Sequence, residues 1–248
     1  MKISIIGGGP AGLYSAILLK KANPLNDITI FERNRVDDTF GFGVVFSDQT
    51  IENFSDADEE TSAEITKNFA HWDDIHTFYR GQCLASSGHG FAGLSRKKLL
   101  EIMAARCEAL NVNLKFETEV EDLSPLLESD LVIASDGVNS QIRAKYAEHF
   151  GPELDWRPNR FVWLGTSFPY DAFTFYFKEN EHGLWRVHAY RYAENQSTFI
   201  IIINQNHGCR VPGISELLLT SRINIKSQFL KILQDVLVTV VVYGAMSK

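Results

Sequence analysis

Cysteine is scarce in this chain of 248 residues: there are three, Cys83, Cys107 and Cys209, and no two share a C-x-x-C spacing. A set that is odd in number and scattered excludes a disulfide framework, a zinc site of ordinary spacing and a redox dithiol. It fits a reducing compartment in which the thiols are small, buried or half-buried side chains. Basic residues are outnumbered, 24 Lys and Arg against 31 Asp and Glu, for a formal net charge of −7. With no basic stripe to offset that charge, a nucleic-acid surface is excluded. No apolar run approaches the roughly twenty residues of a membrane helix, and the apolar start at residues 1–6 is too short for a signal peptide. The expectation is a cytoplasmic protein with no membrane partner. Hydrophobic content of 45% and charged content of 22% are those of a globular chain, long enough for one large domain or two small ones.

The chain is organised around residues 1–33. Ile3, Ile5 and Ile6 form an apolar run that breaks into Gly7-Gly8-Gly9-Pro10-Ala11-Gly12, and Leu13, Ala16, Ile17 and Leu19 continue as a helix. A second apolar run at 28–31 ends on Glu32, twenty residues beyond Gly12. Strand, glycine turn, helix, strand and acid at this spacing are the fingerprint of a dinucleotide site. Gly7 permits the turn, Gly9 the approach of a pyrophosphate, and Gly12 close packing of helix on strand. The helix start offers N–H groups and a positive dipole end to phosphate. Glu32 can accept from both ribose hydroxyls and would repel a 2′-phosphate, favouring FAD or NAD over NADP in that pocket.

Phe40-Gly41-Phe42-Gly43-Val44-Val45-Phe46-Ser47 follows. Two glycines around an aromatic suit a backbone passing close to a flat ligand, or equally a glycine-bent strand. Residues 48–74 read as acidic and helical, with Ile51, Phe54, Ile65, Phe69 and Trp72 as core candidates and 56–60 as a solvated face. Strands are expected at 75–79 and 82–86, joined through Arg80-Gly81, and residues 87–93 form a glycine-rich connection. A helix is expected at 96–110, from the 3.6-residue period of Leu99, Leu100, Met103 and Cys107. Strands follow at 112–116, with 118–120 as continuation or partner, and at 130–134 before Ser135-Asp136-Gly137 and a helix at 141–150. That Asp-Gly reads either as a plain turn or as a carboxylate at the ligand edge of a parallel sheet. From residue 160 to 203, short aromatic and β-branched runs indicate an antiparallel sheet.

The fold class expected is α/β: a Rossmann-like nucleotide domain with a parallel sheet, plus an antiparallel sheet. The nucleotide domain would be discontinuous, residues 1–74 and 94–155, with 75–93 and 156–203 as the substrate-domain sheet and 204–248 as an atypical tail.

Together these motifs resemble the single-component FAD-dependent aromatic hydroxylases of the para-hydroxybenzoate hydroxylase type. The resemblance rests on Gly7-x-Gly9-x-x-Gly12, Glu32-Arg33, Arg96-x-x-Leu99 opening a helix, and Asp136-Gly137-x-x-Ser140-x-x-Arg143, in that order. Residues 40–48 and Gly88-His89-Gly90-Phe91 look most like the branch that hydroxylates aryl-CoA thioesters and the related violacein tryptophan hydroxylase. The resemblance implies that Gly7, Gly9, Pro10, Ala11 and Gly12 cradle the FAD pyrophosphate. Glu32, next to Arg33, holds the adenosine ribose, Arg96 meets the phosphate-ribose region, and the Val120 backbone lies near the adenine. It implies further that Asp136 and Gly137 organise the region between FAD and the nicotinamide donor and that Arg143 supports that loop. Gly43, Val44 and Val45 would pass the isoalloxazine. FAD is the resident cofactor, NAD(P)H a transient donor, O2 a co-substrate, and the substrate a small aromatic molecule or aryl-CoA.

No side-chain nucleophile is required by that chemistry. His89, Trp163, His188 and Tyr190, each an aromatic face with a polar tip, are candidate pocket residues as well as ordinary sheet residues. Arg157, Arg160, Arg186 and Arg191 are the cations available to a CoA ester.

The family's later Gly-Asp motif is absent, since no Gly-Asp dipeptide occurs anywhere. The charge balance also reverses, from 19 basic against 29 acidic up to residue 203 to 5 against 2 beyond it. The expectation is a truncated member, its last forty-odd residues read in a shifted frame and its C-terminal part of the family fold missing. The functional readings left open are an FAD monooxygenase, a flavin- or NAD-linked dehydrogenase, and a non-catalytic FAD- or ADP-binding fragment. The β-branched run at 236–242 is an aggregation hazard unless it pairs with a sheet or a partner.

Overall fold

The computed structural model describes residues 1–39, 41–157, 159–180, 183–204 and 242–246, the last five and residues 203–204 by backbone alone. In chain order the first elements are β1 (Lys2–Ile6), α1 (Pro10–Ala22), β2 (Asp27–Phe31), β3 (Gly43–Ser47), α2 (Asp48–Ala57) and α3 (Glu59–Asn68). Then come β4 (Ala70–Trp72), β5 (Ile75–Tyr79), β6 (Gln82–Ser86), β7 (Phe91–Ser95) and α4 (Arg96–Ala109). Next are β8 (Asn113–Lys115), β9 (Leu131–Ala134), α5 (Gln141–Lys145) and α6 (Ala147–Phe150). The last five strands are β10 (Asn159–Thr166), β11 (Phe173–Asn180), β12 (Gly183–Ala193), β13 (Gln196–Asn204) and β14 (Val242–Met246).

The chain divides into two compact units, Met1–Thr39, Glu52–Lys67 and Lys97–Asp155 forming the first, and Phe40–Ile51, Asn68–Arg96 and Trp156–Lys248 the second. The expected block 1–74 is thus shared between them.

The first unit is built on a parallel sheet of order β8-β2-β1-β9. Its centre is aliphatic because both faces of such a sheet are covered. Ile3 and Ile5 lie in register with Ile28 and Ile30 on one side and with Leu131 and Ile133 on the other, and all five of the β1 and β2 isoleucines are buried. Helix α1 buries Leu13, Ala16 and Ile17, and α4 buries Leu99, Ile102, Met103 and Cys107. The Cys107 thiol donates to the Leu13 carbonyl at 3.3 Å, joining the two helices, and burial pushes it up to about 12. Cys107 is therefore a packing residue, Cys83 is exposed, and Cys209 lies outside the described residues.

The second unit contains a seven-stranded sheet of order β14-β10-β13-β12-β11-β5-β6, antiparallel except for the β11–β5 pair. One face is a core: Val162 and Leu164, Phe199 and Ile201, and Trp185, Val187 and Ala189 are all buried. The other face carries Phe161, Trp163, Ile200, His188, Phe175 and Phe173, as the two-residue period requires. A three-stranded sheet, β3-β7-β4, completes this unit.

Five expectations are corrected. Residues 91–95 are a strand between β3 and β4 and not part of a flexible connection. Residues 70–72 are a strand where a helix was expected, while 118–120 are not one. The helix at 141–150 is two short helices, broken at Tyr146, whose φ of −110° and ψ of 30° leave the helical region. Asp58, expected on a solvated face, is 1% exposed. It accepts from Arg106 Nε at 3.0 Å and Nη2 at 2.9 Å, from Lys21 at 2.9 Å and from Thr61 Oγ1 at 2.6 Å. The expected β-branched run lies largely outside the described residues; its last member, Val242, begins β14, antiparallel to β10.

Candidate functional site

The turn between β1 and α1 is shaped by contact, not by flexibility. A Cβ on Gly12 would stand 2.0 Å from the Gly7 carbonyl oxygen and 2.7 Å from Ser135 Oγ, whereas one on Gly9 would meet nothing within 4 Å. Gly12 is thus a packing position and Gly9 an open one. Helix α1 begins with Pro10, has no side-chain cap and carries no acid in its first turn. Its N–H groups and positive dipole end are left for an anion, so the residues present fit a pyrophosphate.

Glu32 does more than the spacing suggests. Its Oε2 accepts from the Gly8 N–H at 2.7 Å, and its Oε1 from the backbone and side-chain nitrogens of Asn34 at 2.8 and 2.6 Å. The carboxylate therefore ties β2 to the turn; Oε1 is filled by its two donors, and Oε2 keeps one lone pair for a ribose hydroxyl. Arg33 faces Glu119 at 3.7 Å, both about half exposed. The Val120 side chain packs on a small cluster of Ile6, Leu123 and Ile142.

The Asp136 motif is a self-contained helix cap. Asp136 Oδ1 accepts from Ser140 Oγ at 2.6 Å, and its Oδ2 from the Gln141 and Ile142 N–H groups at 2.9 and 3.3 Å. Ser140 Oγ in turn accepts from the Arg143 N–H at 2.9 Å, and Arg143 Nη2 donates to the Val138 carbonyl at 2.5 Å. Asp136 thus fixes the start of α5, and Arg143 ties the helix back to the Val138 carbonyl. Gly137 has a φ of +90°. Ser135, which the sequence reading gave no role, donates from Oγ to the Ile6 and Gly7 carbonyls at 2.9 and 3.0 Å, locking β9 to the turn. Its signal was its place between strand and Asp-Gly. A cavity of about 830 Å³ is lined by Ala11, Asp136, Gly137 and Arg143 at its polar end and by Leu123, Val132, Tyr146 and Phe150 elsewhere.

In the second unit the glycines at 41 and 43 lie against rings of the protein itself. A Cβ on Gly41, whose φ is +84°, would stand 2.7 Å from the Trp163 ring, and one on Gly43 2.5 Å from Tyr192. Gly43 donates to Thr198 Oγ1 at 3.0 Å and accepts from the Tyr190 hydroxyl at 2.7 Å. Gly43, Val44 and Val45 form β3, paired along β7. Arg96 donates its backbone N–H to the Phe42 carbonyl at 2.8 Å, and burial lowers its guanidinium pKa.

Of the pocket candidates, Trp163, His188 and Tyr190 share a sheet face. His188 packs edge-on against Phe175 at 4.8 Å, and Phe173 reaches Phe175, Tyr190 and Phe91 at 4.6, 5.4 and 5.5 Å. His89 joins the edge of this group, stacked on Phe91 at 6.3 Å and bonded to Ser86 Oγ at 2.7 Å. Burial, and then the Arg186 charge, lower the His188 pKa, while burial pushes the Tyr190 hydroxyl up to about 12. Tyr190 itself is a structural tie, 5% exposed. Arg157 and Arg160 are exposed, and Arg186 and Arg191 half-buried.

A family model described as an FAD binding domain matches residues 1–147. The chain belongs to this FAD-binding family. Among curated relatives of this FAD-binding chain, a salicyloyl-CoA 5-hydroxylase from a Streptomyces species is 42% identical over 201 residues, covering 81% of this chain and 39% of that protein. A protodeoxyviolaceinate monooxygenase from Chromobacterium violaceum is 31% identical over 209 residues, 81% of this chain and 54% of that one. The chain thus spans about half the length of these relatives, or less. Among solved structures, 2-methyl-3-hydroxypyridine-5-carboxylic acid oxygenase superposes with a TM-score of 0.70 at 18% identity, covering 98% of this chain and 70% of the other. That likeness establishes the fold: the expected α/β class, over part of the larger architecture. No helix among the described residues is long and apolar enough to cross a membrane.

Proposed function

We propose that this chain carries the nucleotide-binding turn and the aromatic substrate face of an FAD-dependent monooxygenase that hydroxylates an aromatic ring, with NAD(P)H as electron donor and O2 as co-substrate. The observation that carries the reading is the uncapped start of α1 with open space at Gly9, in a chain of the FAD-binding family. The relatives' names support the aromatic ring, and an aryl-CoA thioester is the finer assignment.

Within this reading, the N–H groups of Ala11 and Gly12 behind Pro10 hold the pyrophosphate, and Glu32 accepts from the ribose with the one lone pair that Gly8 leaves on Oε2. Asp136 and Arg143 keep the Gly137 loop fixed beside the turn. Bound FAD, reduced by NAD(P)H, supplies the activated oxygen. The second unit's share is positional: Phe173, Phe175 and Trp163 hold the ring and exclude water from it.

The test is flavin absorbance retained by the purified chain after desalting, followed by an FAD titration. Stoichiometric binding and NAD(P)H oxidation stimulated by salicyloyl-CoA are expected; a folded chain that retains no flavin overturns the reading. A second reading, an FAD- or ADP-binding fragment without turnover, is favoured by β9, which among the described residues is paired on one side only, and by the cavity open beside Asp136. It predicts nucleotide binding with no substrate-stimulated oxidation.

A further inference from the structure

We infer that Asp48, His71 and Asp73 form a binding site for a divalent transition-metal ion of the zinc type, at one end of the sheet β3-β7-β4. The site lies wholly within the second unit. It uses none of the residues assigned above to the flavin or to the aromatic ring, so it goes beyond the proposed function and does not rest on it. It contains no cysteine and stands apart from the thiolate sites that the sequence excludes.

Strand pairing decides which side chains can meet here. Phe46, Ala92 and His71 stand side by side across β3, β7 and β4, and Ser47, Phe91 and Trp72 form the next row. One residue further on, the Asp48 N–H donates to the Gly90 carbonyl at 3.1 Å, and the His89 N–H to the Asp73 carbonyl at 3.0 Å. Asp48, Gly90 and Asp73 thus continue the rows, and the two-residue period returns them to the face of His71. His89 is engaged elsewhere, stacked on Phe91 and bonded to Ser86.

The outer strands can converge because the middle one is bare. On that face β7 offers only Ala92 and then Gly90, and a Cβ on Gly90 would stand 2.0 Å from Asp48 Oδ2. The Asp48 carboxylate thus fills the space of a side chain at position 90 and crosses toward β4, where its Oδ1 meets His71 Nε2 at 3.0 Å. With Asp73 included, one ligand atom from each residue lies within 4.8 Å of the other two. Ligand atoms around a tetrahedral ion stand about 3.3–3.6 Å apart, which exposed side chains reach by small rotations. Among the described residues neither Asp48 nor Asp73 has a Lys or Arg partner. Two carboxylates and an imidazole therefore face one another with no fixed cation between them. One nitrogen and two oxygens suit Zn2+ better than Mg2+ or Ca2+, which take oxygen alone. Three protein ligands leave a fourth position to water, and the bound ion pins β4 to the start of α2 across β7.

The experiment is a calorimetric titration of the full chain, untagged and stripped with EDTA, with ZnCl2 and separately with MgCl2. Stoichiometric binding of Zn2+ in the micromolar range is expected, with Mg2+ roughly a hundredfold weaker. His71→Gln and Asp73→Asn change exposed positions, and their circular dichroism should match the parent's. Each is expected to lower Zn2+ affinity by about tenfold or more. Cys83→Ser, which removes an exposed thiol, should leave that affinity unchanged. Zn2+ binding that His71→Gln leaves intact, or that Cys83→Ser abolishes, overturns the site, as does the absence of saturable binding in a folded chain. Mg2+ binding as tight as that of Zn2+ overturns the assignment to a transition metal.

Discussion

The hydroxyl of Tyr190 donates a 2.7 Å hydrogen bond to the carbonyl of Gly43, joining strands that are 147 residues apart in sequence. The same glycine donates its N–H to Thr198, so both its backbone groups are satisfied by the large sheet. Tyr190→Phe leaves a carbonyl without its partner and should cost about 1–3 kcal/mol, read as a lower urea midpoint at unchanged slope. Because burial pushes the hydroxyl up to about 12, above the roughly 10 of an unfolded tyrosine, the folded state favours the neutral form. That contribution is whole below about pH 10 and declines as pH rises to about 12. Tyr190→Phe should remove its share of the alkaline slope.

Gly41 and Gly81 separate strain from contact. Both have a positive φ, +84° and +79°, but only a Cβ on Gly41 meets a neighbour, the Trp163 ring. Gly81→Ala should lower stability by about 1 kcal/mol from its backbone alone. Gly41→Ala should cost more, about 2–4 kcal/mol, by adding overpacking, and should alter Trp fluorescence. Equal melting temperatures for the two variants would show that the Trp163 contact contributes nothing.

At the nucleotide turn, Gly9→Ala should leave stability within about 1 kcal/mol of the parent yet weaken FAD binding at least tenfold, since the new methyl occupies the approach to the phosphate. Gly12→Ala should reduce folding itself, because its Cβ has no room beneath Gly7. Calorimetry beside the flavin titration distinguishes the two effects.

Asp58 is the buried centre of the contact among α1, α3 and α4. Burial alone would raise its pKa, but hydrogen bonds from Arg106, Lys21 and Thr61 outweigh it and hold the carboxyl well below the usual carboxylate range. Its contribution is therefore present above the unfolded value of about 3.9 and is lost as pH falls further. Asp58→Asn should destabilise the chain at neutral pH by about 3–5 kcal/mol and flatten its acid limb, as followed by circular dichroism below pH 4.

The local grammar of the chain was readable without coordinates. The glycine spacing, the aliphatic runs of β1, β2 and β9, the α4 stripe and the turn at Arg80-Gly81 all act through neighbours within a few residues, so period and composition locate them. The cap formed by Asp136, Ser140 and Arg143 was visible as a motif for the same reason, although its hydrogen bonds were not. What depends on distant partners was hidden. Asp58 looked solvated because its acidic neighbours set the pattern, while Lys21 and Arg106, which bury it, come from other helices. Strand β7 looked like a loop because glycine disfavours strands, and only the pairing with β3 and β4 overrides that preference. The glycines at 41 and 43 were legible as places of close approach, but the rings they approach, Trp163 and Tyr192, arrive from strands more than a hundred residues away. Sequence by itself determined the elements that local period and composition encode and which residue types can bind a nucleotide; long-range packing decided the strands that pairing alone creates, such as β7, which side chains are spent on the fold and which, like Trp163 Nε1, are left with unused hydrogen-bonding capacity.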